Sequence, residues 1–286
     1  VDVGTLLAAG AERLAAAGHP SGPADARLLL AHAWDRDGRG LDRARLLGEP
    51  VPDPVVTAFT GYLGRREHGE PVQYIVGTAP FRYSELTVGP GVFIPRPETE
   101  LLVQAVLDWC AGEHLASPAI ADLCAGSGAI ALALAGELEA AAVTAVELSP
   151  AALEYTRRNL AAAFEGMGDS SVEIVAGDAL TYAGGPFDAV VSNPPYVPAG
   201  RVTAEVAASD PALALFGGGE DGLDFPLRLI PRARTLLRPG GFFAMEHAEE
   251  QARAVADAYV SAGFVQVTTH ADYTGRSRFT TGCAPV

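Results

Sequence analysis

The stretch "ADLCAGSGAIALALA", Ala121 to Ala135, decides the fold. An apolar run carrying an acid stops at a Gly-x-Gly turn, and a helical pattern follows at once. Gly126 and Gly128 allow a sharp turn and a close approach of backbone to ligand, and the N–H groups that open the following helix favour an electron-rich one. Alone, such a turn fits a dinucleotide site, an adenosylmethionine site or tight packing.

Around it, short apolar runs alternate with helical patterns. "AIADLC", "AVTAVEL", "VEIVAG" and "FDAVVSN" read as buried strands, and "GAIALALAGEL", "SPAALEYTRRNLAAAF" and "FPLRLIPRARTLL" as the crossing helices. This predicts an α/β fold with a parallel sheet covered on both faces. A late strand, "GGFFAMEH", precedes a helix over "EEQARAVADAYVSAG", and "FVQVTTH" with "SRFTTGC" suit an antiparallel hairpin closing the sheet edge. Upstream, "TLLAAGAERLAAAG", "ADARLLLAHAW" and "PDPVVTAFTGYLGRREHG" predict a helical bundle over residues 1–70. Between the two, "EPVQYIVGTAPFRYSELTVGPGVFIPRPETE" suggests a β-hairpin linker over 71–92, leaving 93–286 to the α/β domain.

Two further signals fall at the same sheet edge. Glu147 ends the strand after the turn, about 20 residues past the glycines, where a carboxylate can accept both hydrogen bonds of a ribose diol. The competing role is an acid beside Ser149, which caps the helix starting at Pro150. Asp178, in "AGDAL", stands at the tip of the third strand, placed either to meet an adenine amino group or to form a turn. The third glycine of a dinucleotide fingerprint is missing and no second nucleotide-binding half follows, so adenosylmethionine is the better ligand.

The third signal is "FDAVVSNPPY", which places Asn193 at the carboxyl end of the fourth strand. An amide or exocyclic amine is a poor nucleophile because its lone pair is delocalised, so methylating it requires firm orientation. Asn193 can offer its side-chain oxygen to one N–H, and the Pro194 carbonyl can take the other. Pro194 and Pro195 restrict the residues before them and add no competing donor. Tyr196 supplies a flat ring for a planar group. No strong general base is obvious. A strand stop with a packed tyrosine is the plainer alternative.

Composition sets bounds. The chain has 286 residues, 49% of them hydrophobic, enough for one large domain or a large and a small one. No apolar run reaches the ~18 residues of a membrane helix, and the first residues show no secretory pattern, so a cytoplasmic protein is expected. Cys110, Cys124 and Cys283 have no paired spacing, and the histidines form no ligand pattern, so neither a disulfide framework nor a metal is implied. A net charge of −15 weighs against broad nucleic-acid binding.

The stretches "SNPPYV" and "DLCAGSGAIALALA", with "EPVQYIVGTAPF", "FIPRPETE", "ALALFGGGEDGLDF" and "LRPGGFFAMEHAEEQ", resemble in order and spacing the HemK/PrmC family of protein-(glutamine-N5) methyltransferases. The resemblance implies a Rossmann-like, seven-stranded adenosylmethionine-dependent methyltransferase domain after a helical substrate-recognition domain and a β-hairpin linker. It also implies methylation of the glutamine in the Gly-Gly-Gln motif of peptide chain release factors, with S-adenosyl-L-methionine as donor and S-adenosyl-L-homocysteine as product. Neither direct nucleic-acid binding nor membrane attachment is expected.

Carried over residue by residue, the cofactor loop is Cys124, Ala125, Gly126, Ser127 and Gly128. Glu147 takes the ribose, Asp178 and Ala179 the adenine, and Asn193, Pro194, Pro195 and Tyr196 the glutamine, with Asn193 also beside the cofactor. Phe93 and Arg96 would lie near the cofactor mouth, or Arg96 would pair with Glu98 or Glu100. Cys124 and Ala125 stand where the family usually has Gly-Thr, Ala179 where it often has a large residue, and Ala248 where Gly is common. Glutamine methylation of a ribosomal protein, adenine-N6 methylation of nucleic acid and a binding protein that has lost catalysis are the alternatives, the acidic charge weighing against nucleic acid and the intact loop, acid and clamp against the last.

Overall fold

Residues 1–163, 166–201 and 210–286 are described by the computed structural model, in two units that cluster separately, Val1–Thr78 and Ala79–Val286. In the first, helical spacing brings Leu14, Leu29, Leu30, Phe59 and Leu63 into one core. Helices α1 (Val3–Ala16), α2 (Gly22–Ala33), α3 (Gly38–Leu47), α4 (Asp53–Glu67) and α5 (Val72–Val76) build this unit. Gly10 lets α4 come close, since a Cβ there would lie 2.8 Å from the Phe59 ring. Arg66 on α4 and Asp25 on α2 form a buried ion pair at 2.8 Å.

Two of these helices depart from the sequence reading. In α3, "GRGLDRARLL", two glycines and many charges weaken both propensity and periodicity. Its ends compensate: the Asp37 carboxylate accepts from the Gly40 N–H at 2.6 Å, and Gly48 closes the helix at φ 63°. The β-branched "VQYIV" of α5 reads as strand by composition, yet it makes a helical turn stopped by Gly77 at φ 81°. The hairpin itself is β1 (Thr78–Phe81) and β2 (Ser84–Thr87).

The second unit carries a seven-stranded sheet ordered β5-β4-β3-β6-β7-β9-β8. Its strands are β3 (Ala119–Leu123), β4 (Ala142–Glu147), β5 (Ser171–Ala176), β6 (Phe187–Ser192), β7 (Leu237–Glu246), β8 (Val265–Ala271) and β9 (Ser277–Cys283). The first five are parallel, and the antiparallel β8–β9 pair completes the sheet with β9 against β7, as the terminal stretches suggested.

Alternation along the strands sorts side chains onto two cores. Ile120, Ala189, Val191 and Ala244 pack on one face with Leu102 of α6 (Thr99–Gly112) and with Leu132 and Leu134 of α7 (Ala129–Glu137). Ala121, Val190, Phe243 and Met245 pack on the other. There they meet Leu229 and Ile230 of α10 (Asp224–Leu236) and Tyr259 of α11 (Ala252–Ser261). Helices α8 (Pro150–Ala163) and α9 (Ala212–Leu215) complete the set among the described residues. None of these helices is long and apolar enough to cross a membrane.

Asp122 lies wholly buried on β3, its Oδ2 accepting from the Ala131 N–H at 3.0 Å and so tying the strand to α7. Among the described residues its Oδ1 has no partner. Burial pushes the carboxyl from its ordinary 3.8 up to about 8. The folded state therefore holds this proton more tightly than the unfolded chain, and the resulting stability is lost as pH rises from about 4 to about 8. Asp122→Asn abolishes the titration. Its stability relative to the native protein is expected to increase across that window and level off above it, as read from urea midpoints at a series of pH values. A pH-independent difference would contradict the assignment.

Candidate active site

Register sets the geometry. Leu123 pairs with Val146 on one side and Ser192 on the other, and Ser192 pairs with Met245. The next residue of each strand, Cys124, Glu147, Asn193 and Glu246, therefore falls in one row at the carboxyl edge. From β3 the chain proceeds to β4 and β5 on one side, whereas β6 and β7 lie on the other, so the row straddles the switch point where open α/β sheets form a crevice. Among the sequence-predicted residues Cys124, Ala125, Gly126, Ser127, Glu147, Asp178, Ala179 and Asn193 to Tyr196 line one cleft there, with Phe93.

Gly128 and Arg96 do not line it. Gly128 instead permits packing: at φ 82°, a Cβ would sit 2.9 Å from the Thr156 methyl group on α8. Arg96 pairs with Asp210 at 2.7 Å, rather than with Glu98 or Glu100, and its guanidinium lies over the Phe93 ring at 4.9 Å. Its part is to hold a ring that does face the cleft.

Three residues of the turn take left-handed backbone, Cys124 (φ 65°), Gly126 (φ 57°) and Gly128 (φ 82°). The usual family glycine at the first of these has a steric reason, and the cysteine here accepts roughly 1–2 kcal/mol of strain. A Cβ on Gly126 would meet nothing within 4 Å, so the turn presents open backbone to the cleft. Thr156 Oγ1 donates to the Gly126 carbonyl at 2.8 Å, and Asn159 Nδ2 donates to the Ser127 carbonyl at 2.9 Å. Burial, then the Glu147 charge, pushes the Cys124 thiol well above its ordinary range, so it lines the cleft as a neutral group.

Glu147 stands beside Ser149 at the start of α8 and also borders the cleft. Its Oε2 accepts from the Gly126 N–H at 2.7 Å and its Oε1 from the Ser149 N–H at 2.7 Å, while the carboxylate borders the cleft. Ser149 Oγ in turn accepts from the Ala152 N–H at 3.3 Å, capping α8. Asp178 likewise forms a turn, accepting from the Leu180 N–H at 2.9 Å, and borders the cleft. Each carboxylate oxygen keeps lone-pair capacity for a further donor.

The Asn-Pro-Pro-Tyr segment is held from behind by groups that sequence reading did not single out. Asn193 Nδ2 donates to Thr99 Oγ1 at 3.2 Å, and that hydroxyl donates to Glu246 Oε2 at 2.7 Å. The Tyr196 hydroxyl donates to Glu246 Oε1 at 2.8 Å. Glu246 is 2% exposed, and burial raises its carboxyl above the ordinary range despite the two hydroxyl donors and the charge of Arg278. Burial and the Glu246 charge also push the Tyr196 phenol well up, which keeps it a donor. Among the described residues no group donates to Asn193 Oδ1 or to the Pro194 carbonyl.

Gln251 fixes the other side of the loop, its Nε2 donating to the carbonyls of Tyr196 and Asp221, each at 2.7 Å. Its Oε1 accepts from the Ala248 N–H at 2.9 Å, and Ala248 takes extended backbone (φ −71°), so no glycine is required there. Gly222 is required: a Cβ would strike the Tyr196 carbonyl, and one on Gly217 would lie 2.8 Å from the Pro195 carbonyl, so these two glycines of "FGGGEDG" form a close backing for the loop. Thr99 in "FIPRPETE" and Glu246 and Gln251 in "MEHAEEQ" lay within quoted stretches, but pairing across the fold is what assigns them.

Residues 5–77 match the family model of the PrmC N-terminal domain, and residues 90–210 that of the methyltransferase small domain. The chain is similar to a 16S rRNA N2 G1207 methyltransferase of T. thermophilus, solved with AdoMet and guanosine. Their TM-score is 0.50 at 23% identity, covering 72% of this chain and 49% of that one, a likeness of fold. The release factor glutamine methyltransferase of Bifidobacterium longum is 45% identical over 89% of this chain and 90% of its own. That of Streptomyces coelicolor is 45% identical over 96% and 95%. With both units matched in order and relatives of this identity running nearly end to end, the chain belongs to the release factor glutamine methyltransferase family.

Proposed function

We propose that this enzyme transfers a methyl group from S-adenosyl-L-methionine to the side-chain nitrogen, N5, of the glutamine in the Gly-Gly-Gln motif of peptide chain release factors. The observation that carries the reading is the acceptor pair, Asn193 Oδ1 and the Pro194 carbonyl, to which no group among the described residues donates, on residues that line the cleft beside the glycine turn. A primary carboxamide has two N–H donors on one nitrogen, and two neighbouring acceptors match it in number.

The cleft fits the donor. Open backbone at Gly126, the carboxylates of Glu147 and Asp178, and apolar walls from Phe93, Ile130, Val146 and Ala179 suit a nucleoside with hydroxyl and amino donors and a flat base. When bound, S-adenosyl-L-methionine supplies an electrophilic methyl group on a sulfonium, and S-adenosyl-L-homocysteine remains. Glu147 accepts from the ribose hydroxyls while its bonds to Gly126 and Ser149 hold it rigid. Asp178 accepts from the adenine amino group, and Ala179, 4% exposed, packs beside it.

Asn193 and Pro194 accept the two amide N–H bonds of the glutamine and leave the nitrogen lone pair perpendicular to the plane they define. Tyr196 lies against that plane and excludes water. Orientation of this kind supplies much of the catalysis open to an amide nucleophile, and two acceptors stabilise the nitrogen as it becomes positive. A release-factor substrate places the reaction in the cytoplasm and calls for no direct contact with nucleic acid.

Two experiments test the reading. With labelled S-adenosyl-L-methionine and, separately, a release factor, ribosomal proteins and DNA, label is expected on the release-factor glutamine, located by peptide mass spectrometry. Label on DNA alone would overturn the assignment. Asn193→Ala is expected to lower turnover by roughly 10²-fold or more, while calorimetry finds cofactor binding within a fewfold of native. Native turnover in that variant would remove the acceptor pair from the mechanism.

A further inference from the structure

A side-chain amide is ambiguous: one end accepts, the other donates, and the two differ little in shape. Asn193 serves as an acceptor only if its oxygen faces the cleft. What sets that polarity lies behind it, where Asn193 Nδ2 reaches Thr99 Oγ1 at 3.2 Å and Thr99 Oγ1 reaches Glu246 Oε2 at 2.7 Å.

We propose that Glu246, acting through Thr99, is the positioning residue that dictates which end of Asn193 faces the substrate. A threonine hydroxyl has one proton. A carboxylate has none to give, so the Thr99 proton is committed to Glu246, and only lone pairs of Thr99 face Asn193. An Asn193 oxygen turned toward Thr99 would meet those lone pairs; its NH₂ group makes a hydrogen bond instead. The oxygen is thereby turned to the cleft. The same carboxylate accepts a hydrogen bond from the Tyr196 hydroxyl at 2.8 Å, so one buried anion orients both the acceptor and the ring. Arg278 favours the anion electrostatically, and Glu98 opposes it.

The inference rests on the glutamine reading above and extends it to Thr99, which borders the cleft beside Asn193, and to Glu246, which does not line it. A glutamine at 246 would keep the volume of the side chain but add a donor. If that donor faced Thr99, the Thr99 proton would pass to the Asn193 oxygen, and the NH₂ group of Asn193 would face the cleft. The site would then repel a carboxamide N–H and welcome an acceptor.

The test compares the native protein with Thr99→Ser, Thr99→Val and Glu246→Gln, using a release factor as methyl acceptor. Thr99→Ser is expected to keep turnover within a fewfold, because the hydroxyl relay survives. Thr99→Val and Glu246→Gln are expected to lose roughly 10²-fold in kcat, with KM for the release factor and cofactor affinity little changed. A polarity readout separates this from loss of structure: a release factor carrying glutamate in place of the methylated glutamine should inhibit Glu246→Gln more strongly than it inhibits the native enzyme. Equal impairment of Thr99→Ser and Thr99→Val, native turnover in Thr99→Val, or unchanged glutamate inhibition in Glu246→Gln would each overturn the proposal. If the native protein binds cofactor but methylates no release factor, the substrate reading fails and takes this inference with it.

Discussion

In a sheet, slipping one strand by a single residue moves its side chains to the opposite face. Because Val146, Leu123, Ser192 and Met245 are paired in one row across four parallel strands, the residues that follow them emerge at the same level. Three of the four, Cys124, Glu147 and Asn193, border the cleft around the switch point, and the fourth, Glu246, stands behind Asn193. The alternation that divides these strands between two cores also holds the register, so the packing that stabilises the unit is what aligns its chemistry. Loops of ordinary mobility could not keep Glu147 and Asn193 in such constant relation.

Glu246 is the costly member of the row. An ionised carboxylate taken out of water loses several kcal/mol of solvation, and two hydroxyl donors with Arg278 nearby recover part of it. An apolar residue would stabilise the fold at least as well, but it would leave Thr99 and Tyr196 without a directional partner. The acid makes sense as an investment in orientation. Gln251 and the glycines at 217 and 222 work on the same loop by steric means, bringing backbone against the carbonyls of Pro195 and Tyr196.

Most of the parallel sheet was legible in the sequence because buried strands, glycine turns and crossing helices alternate there with clear punctuation. The cleft was legible for the same reason, since strand ends can be counted. The helical unit was less so. Helix α3 carries its signal in its caps, and "VQYIV" has strand composition held in a helix stopped by Gly77, so local preference yielded to context. The backing of the site was hidden for another reason. Thr99 and Glu246 bond across 147 positions, and no spacing rule brings such a pair together. The ion-pair partner of Arg96 is likewise out of reach of spacing rules, Asp210 being 114 positions away.

At two of its departures from the family pattern, the backbone accommodates the residue present. Cys124 adopts the left-handed geometry that glycine takes freely, and Ala248 needs no glycine. The account then rests on one local arrangement, a glutamine amide between Asn193 Oδ1 and the Pro194 carbonyl. A crystal structure with S-adenosyl-L-homocysteine and a Gly-Gly-Gln substrate tests this most directly. The account predicts the glutamine nitrogen within hydrogen-bond distance of both acceptors, with the Asn193 NH₂ group still on Thr99. A glutamine bound elsewhere, or an Asn193 amide turned to present its nitrogen, would contradict it.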